Sequence, residues 1–163
     1  MIWPDCRKKL YFCLSYSSLI YCIEIYGNAK RKWLNPLMVI CDSLLRIIQY
    51  KTRFDHVKDL YLTYNILPVH LFDKLFLLKL MHRFIYSRQS LPIVISQLFC
   101  SSDDVHSYNT RFKHQFNLNY VNSSTSISYV GPSMWLKLPK EIKECSTLTS
   151  FIRLCKSSLA LEI

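Results

Sequence analysis

The sequence predicts a mainly α-helical fold, with about six helices and one small antiparallel β-hairpin near residues 116–130. Apolar residues recur at spacings of three and four along much of the first 100 residues, as they do on one face of a helix. Residues 116–121 instead alternate between apolar and polar, which is typical of a strand. Half of the 163 residues are hydrophobic, enough to bury a sizeable core, and this excludes a disordered chain.

The segment from Leu10 to Tyr26 is rich in apolar residues, and its 17 residues are at the lower limit of what spans a bilayer. We expect a buried helix followed by a short strand here, ended by the turn pair Gly27-Asn28, and no membrane span. A membrane-associated protein held through residues 10–26 is the weakest functional alternative. The apolar run is interrupted by Ser15, Ser17, Ser18 and Glu24.

Helical periodicity continues through the next part of the chain. Asn35 and Pro36 suit the N-cap and first position of a helix, because proline loses no hydrogen bond there. Asn65 suits the residue that ends a helix. Four further helices are therefore expected, over residues 36–50, 57–64, 69–87 and 91–99. The third is apolar over most of its circumference, so it should be packed between other elements.

The predicted hairpin follows an irregular polar stretch. Its first strand covers 116–121, and its second covers 127–130 after a polar turn. Gly131 and Pro132 form a turn signal that should end the second strand.

The chain should then return to helix. Trp135 lies in a short apolar helical turn that Pro139 ends. Ser146 or Thr147 caps a final helix. The buried stripe of that helix consists of Leu148, Phe151, Cys155 and Leu159.

The formal net charge is +10, which predicts a polyanionic partner, either nucleic acid or an anionic membrane surface. Fourteen basic and six acidic residues (+8) fall in positions 1–100, against seven and five (+2) in the remainder. Lys30, Arg31 and Lys32 form a basic cluster that suits phosphate contacts, since clustered positive charge binds the nucleic-acid backbone without reading bases. A solvated Lys-rich surface explains the same pattern equally well.

The cysteines and the common catalytic motifs give no site. None of the seven cysteines forms a Cys-x-x-Cys pair or completes a zinc ligand set with histidine. An odd number of cysteines without a secretory signal favours reduced thiols in a cytoplasmic or nuclear protein that is not secreted. A glycine-rich phosphate loop, a G-x-S-x-G elbow and an H-E-x-x-H motif are all absent from the sequence.

Three short segments carry a family resemblance. They read YCIEIYGN at 21–28, HSYNTR at 106–111 and YVGPSMWLKLPKEIK at 129–143. Together they resemble the C-terminal end of reverse transcriptases from LINE-type, non-LTR retrotransposons, especially the Jockey-like group. The likeness extends from about residue 10 to about 159. The chain departs from the family pattern, as a drifting copy does, at Tyr26, Ser133, Met134, Leu136 and Lys137.

The resemblance implies that residues 1–100 are a helical thumb-like region and that 101–163 are the tail, with the hairpin and final helix. The two together would be one unit of a larger polymerase, whose palm and endonuclease lie upstream. The magnesium-binding aspartates of the parent polymerase would then be missing, so we expect neither enzymatic activity nor a cofactor in this chain. Asp103-Asp104 does not replace them, because its neighbours are Ser101-Ser102 and Val105-His106 and it lacks the apolar strands of a catalytic hairpin.

The function that the resemblance implies is sequence-independent contact with RNA or an RNA–DNA duplex, beside an upstream palm. The candidate contacts are Lys30, Arg31, Lys32, Tyr108 and Arg111. Trp135 suits base stacking or, more naturally, the core. The alternative function is a small helical module that binds a protein partner through its apolar helix faces. The family-motif residues expected to be structural are Gly27, Asn28, Gly131, Pro132, Trp135 and Pro139.

Overall fold

A computed structural model describes residues 4–21, 23–27, 29, 31–99 and 126–162. The chain divides into two compact units, one formed by residues 1–73 with 156–163 and the other by residues 74–155. The mainly helical prediction is confirmed. The proposed division near residue 100 concerns segments of a polymerase, and it stays a prediction.

Within the described residues, the first unit contains five α-helices, the beginning of a sixth and the last residues of the C-terminal helix. A helical stretch opens it, with a π-helical segment at Tyr11–Tyr16 between two α-helical segments. The bounds are α1 Pro4–Leu10, α2 Ser17–Ile20, α3 Ile23–Tyr26, α4 Arg31–Ile48, α5 Lys58–Tyr64 and α6 Val69–Tyr86.

The expected strand before Gly27 is wrong, because Ile23–Tyr26 is a turn of helix. The N–H of Gly27 donates to the carbonyl oxygen of Ile23 at 2.8 Å, which closes that turn. A segment of four residues, three of them apolar, does not distinguish a strand from a buried helical turn. In this helical turn the side chain of Ile23 is fully buried, so packing favours the helical conformation.

Helix α4 begins five residues before the predicted start, so Asn35 and Pro36 lie inside it and the predicted N-cap is wrong. Leu34 is buried and continues the apolar face formed by Cys41 and Leu45 at helical spacing. The free energy gained by burying that face therefore exceeds the preference of Asn35 for an N-cap position. As the sixth residue of the helix, Pro36 removes one helical hydrogen bond at a cost of about 3 kcal/mol.

The predictions for α5 and α6 are confirmed within one residue. Asn65 ends α5 in the left-handed conformation, with φ 52° and ψ 46°. In α6, side chains on all sides are buried, as its apolar circumference predicts. They include Leu71, Phe72, Leu75, Leu77, Leu78, Met81 and Phe84.

The second unit contains the rest of α6 and the elements that follow it up to Cys155. The predicted helix over 91–99 is shorter than expected, since only Ile93–Ser96 is α-helical after a 3-10 turn at Arg88–Ser90. The final helix is confirmed, with Phe151, Cys155 and Leu159 buried along one face. The bounds are α7 Ile93–Ser96, α8 Ile127–Lys137, α9 Lys140–Lys143 and α10 Leu148–Ala160.

The predicted hairpin near 116–130 is wrong in its second strand, because residues 127–130 form the first turn of α8. Its first strand, 116–121, lies outside the described residues, and the residues that are described contain no strand. Gly131 and Pro132 continue the helix where a turn was expected. The fixed φ of proline is compatible with a helix, and both residues are buried, so packing favours the helical course.

Aromatic rings on three helices form the centre of the second unit. The ring of Trp135 stacks on that of Phe151, with 5.6 Å between centroids. The buried imidazole of His82 packs on the other rings at 4.5 Å from Phe151 and 4.6 Å from Tyr86. Its Nε2 lies 2.7 Å from the carbonyl oxygen of Cys145, which identifies Nε2–H as the donor. Trp135 is therefore a core residue.

The two glycines allow close packing to different degrees. A Cβ on Gly27 would lie 2.6 Å from Cβ of Asp73 and 2.6 Å from the carbonyl oxygen of Ile23. We expect Gly27→Ala to lower the free energy of unfolding by about 1–3 kcal/mol, since these neighbours cannot rotate away. Urea unfolding followed by circular dichroism measures this.

Gly131→Ala is the matched comparison. The nearest atom to its added Cβ is the Met81 sulfur at 2.8 Å, on a flexible side chain, and alanine also favours the helix. The loss should be smaller than for Gly27→Ala. An equal or greater loss at Gly131 would contradict the packing described for Gly27.

Candidate nucleic-acid interface

Two of the five candidate contacts lie at the beginning of α4. Arg31 is the first residue of that helix, and the exposed Lys32 follows it. The ammonium group of Lys32 lies 5.1 Å from the ring centroid of Trp33, whose side chain is 69% exposed. Lys30, Tyr108 and Arg111 are outside the described residues.

The family-motif residues that the structure describes lie within or next to helices. Gly27 lies in the turn after α3, and Pro139 precedes α9 as its N-cap. Gly131, Pro132 and Trp135 are buried in α8, so Trp135 has no exposed face for a nucleic-acid base. Asn28 lies outside the described residues.

A second basic region surrounds the C-terminal ends of α4 and α5. The guanidinium carbon of Arg7 lies 4.4 Å from the ring centroid of Tyr50. The ammonium group of Lys8 lies 5.7 Å from that of Tyr64. We call this region the basic–aromatic surface, and its members are Arg7, Lys8, Tyr50, Lys51, Arg53, Phe54 and Tyr64.

Some cations of this region donate hydrogen bonds to backbone carbonyl oxygens and so stabilise the fold. The Nη1 of Arg7 donates to the carbonyl oxygen of Ile48 at 2.8 Å, and Nζ of Lys156 donates to that of Asn65. Both carbonyls belong to helix C-termini, where unpaired oxygens and the helix dipole favour positive charge. Burial, and then the nearby charge of Lys8, lowers the pKa of Lys156. Lys8 and Lys156 are thus close enough to raise the local positive potential.

A side-chain hydrogen bond connects the two helices that carry this surface. The hydroxyl of the buried Tyr61 in α5 donates to Oδ1 of Asp42 in α4 at 2.8 Å. Burial and this bond raise the pKa of Tyr61 well above its ordinary value, so the donor keeps its proton at physiological pH. The bond fixes how α5 lies against α4, and with it the two ends of the connecting loop.

The second residue after α4, Tyr50, adopts a backbone conformation that favours glycine. Tyr50 has φ 54°, in the left-handed region. The N–H of Lys51 donates to the carbonyl oxygen of Arg46 at 2.8 Å, and that of Tyr50 to Ile47 at 3.1 Å. These are the two bonds of a Schellman cap. A tyrosine there costs roughly 1–2 kcal/mol, which the Arg7 contact partly offsets.

The loop that follows is closed by its own hydrogen bonds. Oδ2 of Asp55 accepts from the N–H of Thr52 at 2.6 Å and from its hydroxyl at 3.0 Å. The backbone of Asp55 is also held, because Nε of Arg46 donates to its carbonyl oxygen at 3.1 Å. The exposed Lys51, Arg53 and Phe54 therefore project from a fixed turn.

This surface combines two residue types, exposed cations and exposed aromatic rings. Exposed cations neutralise backbone phosphates, while exposed aromatic rings stack on bases irrespective of sequence. Residues 51–56 fall between the predicted helices 36–50 and 57–64, and no binding role was predicted for them. The signal that would have found the site is YKTRF at 50–54, in which two aromatic residues flank two cations.

Other kinds of site find less support. Among the residues that the structure describes, no group of three or more His, Cys, Asp or Glu side chains could hold a metal ion. Asp103-Asp104 lies outside that set. No helix within the described ranges has the length and apolar character needed to cross a membrane. The chain matches no family model, no curated protein and no solved structure in the comparisons made.

The loop bonds predict a pH response of Asp55. The Thr52 N–H and hydroxyl, followed by the charges of Lys51 and Arg46, hold the pKa of Asp55 below its ordinary value. A lowered folded-state pKa gives stability that is present above the unfolded pKa of about 3.9 and lost as pH falls through the folded value. Carbon-13 NMR of the carboxyl group should therefore give a midpoint below 3.9.

Thr52→Val is the control for that titration. It removes the hydroxyl donor but keeps the N–H, so the Asp55 midpoint should move part of the way toward the ordinary value. An unchanged midpoint in Thr52→Val, or an ordinary one in the native protein, would contradict the closed loop.

Proposed function

We propose that this chain is the thumb and post-thumb segment of a non-LTR retrotransposon reverse transcriptase, without the catalytic palm. Its role is sequence-independent contact with RNA or an RNA–DNA duplex, and it is not itself an enzyme. The three family-like segments and the mainly helical fold support the proposal. Magnesium belongs to the upstream palm of the parent polymerase.

The observation that carries the binding role is the basic–aromatic surface. Two cations lie over aromatic rings there, and Lys51 and Arg53 are exposed beside them. Charged side chains that only solvate a surface have no need of exposed aromatic partners. Aromatic rings placed among cations are instead typical of proteins that bind single-stranded or backbone-exposed nucleic acid.

Lys32 and Trp33 repeat this arrangement at the other end of α4. The helical rise gives a separation of about 24 Å along the axis between Lys32 and Ile48. That span fits contact with several successive phosphates of one strand. We therefore assign both ends of α4 to the nucleic-acid contact, with Arg31 and Lys32 at one end and Lys51 and Arg53 at the other.

Salt dependence tests the proposal. Fluorescence anisotropy with a labelled RNA should show that the logarithm of the binding constant falls linearly with the logarithm of the salt concentration. Replacing both Lys51 and Arg53 by Gln removes two phosphate contacts, which should make the slope shallower by about 1.4.

The matched control replaces Lys137 and Lys140 by Gln. It removes the same charge from exposed positions outside the basic–aromatic surface, and the slope should stay within error of the native value. Binding that is absent at low salt, or that does not weaken with salt, would disprove the phosphate contacts.

A second candidate function is the protein-interaction module. It is favoured by an open groove of about 440 Å³ in the first unit, lined mainly by apolar side chains of α2 and α4. Ile40 at its edge is 56% exposed, and the neighbouring Val39 is 62% exposed. An apolar surface of this kind is typical of a protein contact.

Dye binding distinguishes this candidate. If the groove takes a protein partner, the native chain should enhance the fluorescence of an apolar dye, and Ile40→Gln should reduce the signal. Val94→Gln is the control, because Val94 is exposed but does not line the groove. A chain that is monomeric in sedimentation experiments and binds no dye would exclude the module.

A further inference from the structure

We propose that the loop over residues 50–56 is a base-stacking tip, with Phe54 as the stacking ring, and that it selects unpaired nucleotides over duplex. This inference rests on the proposed function and names its ligand class, single-stranded RNA or DNA. The features that carry it are the exposure of Phe54, the closed turn beneath it and the two cations that precede it, Lys51 and Arg53.

Phe54 is 92% exposed, the highest exposure among the large hydrophobic side chains described as exposed. Burying such a ring stabilises a protein by about 1.5–3 kcal/mol, and the fold gains none of this. The neighbouring Tyr50 is 70% exposed and stands in an unfavourable backbone conformation. Two large rings are thus presented to solvent within five residues.

The turn presents the ring without a large entropic cost on binding. Asp55 accepts two hydrogen bonds from Thr52 and is held through its carbonyl by Arg46, so the backbone on both sides of Phe54 is already ordered. A preorganised contact loses less conformational freedom when the ligand arrives. The carboxylate of Asp55 accepts its hydrogen bonds within the turn, and Thr52, Lys51 and Arg46 stabilise its negative charge there. Its repulsion of a polyanion is therefore reduced.

The positive charges of Lys51 and Arg53 would position a nucleic-acid strand next to the ring. Lys51 and Arg53 are exposed on either side of Thr52, and Arg53 directly precedes the ring. A strand whose phosphates meet these cations brings its bases within reach of Phe54. Stacking is sequence-tolerant, because every base has a π-face. In a duplex those faces are covered by neighbouring bases, so only an unpaired base can accept the ring.

A lipid surface fits these observations less well. Stable attachment to a membrane needs more buried apolar area than one aromatic ring supplies. The neighbours of Phe54 on both sides are charged, and insertion into lipid would desolvate Arg53 and Asp55.

The test compares four full-length proteins: the native chain, Phe54→Ala, Phe54→Leu and Phe54→Trp. Each is titrated into a short single-stranded RNA and into the RNA–DNA duplex made from it. Phe54→Ala and Phe54→Leu should each weaken single-strand binding roughly tenfold, the effect of losing one base–aromatic stack. Phe54→Trp should bind as tightly as the native chain. Duplex affinity should change by less than about twofold in all of them.

The leucine variant separates stacking from apolar burial, because it keeps the hydrophobicity and loses the π-face. Tyr21→Ala is the control for removing an exposed ring elsewhere, since Tyr21 is 77% exposed and outside the basic–aromatic surface. Thermal unfolding should be unchanged in the Phe54 variants. As a second readout, single-stranded RNA should quench the emission that the new tryptophan adds in Phe54→Trp.

The outcomes are distinguishable. Salt-dependent RNA binding that is indifferent to all Phe54 variants overturns the stacking tip and leaves the proposed function intact. Native protein that binds no nucleic acid overturns both. Binding to phosphatidylserine-containing vesicles that exceeds binding to RNA, with Phe54→Leu equal to the native chain, assigns the loop to lipid and overturns the tip.

Discussion

Arg7 makes the contact on which the candidate interface depends. Its guanidinium donates to the last carbonyl of α4 and covers the ring of Tyr50, so one side chain ends the helix and supports the residue that turns the chain away from it. Without a cation at this point, the helix terminus would present unpaired oxygens and negative dipole charge to the neighbouring loop. The course of residues 50–56 depends on this end of α4, on the Tyr61–Asp42 bond and on the hydrogen bonds of Asp55 with Thr52 and Arg46.

Long helices could be predicted from the sequence, because their evidence is distributed over many residues. The 18-residue α6 and the 13-residue α10 each bury apolar positions at helical spacing, and no local signal inside them opposes it. Two of the wrong predictions rested on a single dipeptide. Asn35-Pro36 and Gly131-Pro132 are typical boundary signals. In both places the apolar residues around the proline are buried on one helix face, and that packing exceeds the cost of one lost hydrogen bond.

The candidate site was predictable only in part, and burial is the reason. Trp135 and Phe54 are both aromatic residues near cations in the sequence, yet one stacks on Phe151 in a core and the other faces solvent. Periodicity shows which residues can share a face, but it does not show which loop side chains remain uncovered. The basic cluster at 30–32 could be recognised from the sequence because its charges are consecutive. The cations at the far end of α4 are separated in sequence and meet only through folding.

The same folding divides the cations into two kinds. Arg7, Arg46 and Lys156 donate to backbone carbonyls, and in doing so they stabilise helix ends and a turn. Their charge adds to the local field, but moving them to a phosphate would break those bonds. Lys51 and Arg53 are exposed on the turn that the first kind holds in place. A net charge of +10 therefore exceeds the number of cations that the proposed phosphate contacts can use. Part of the positive charge stabilises the surface on which the remaining cations are exposed.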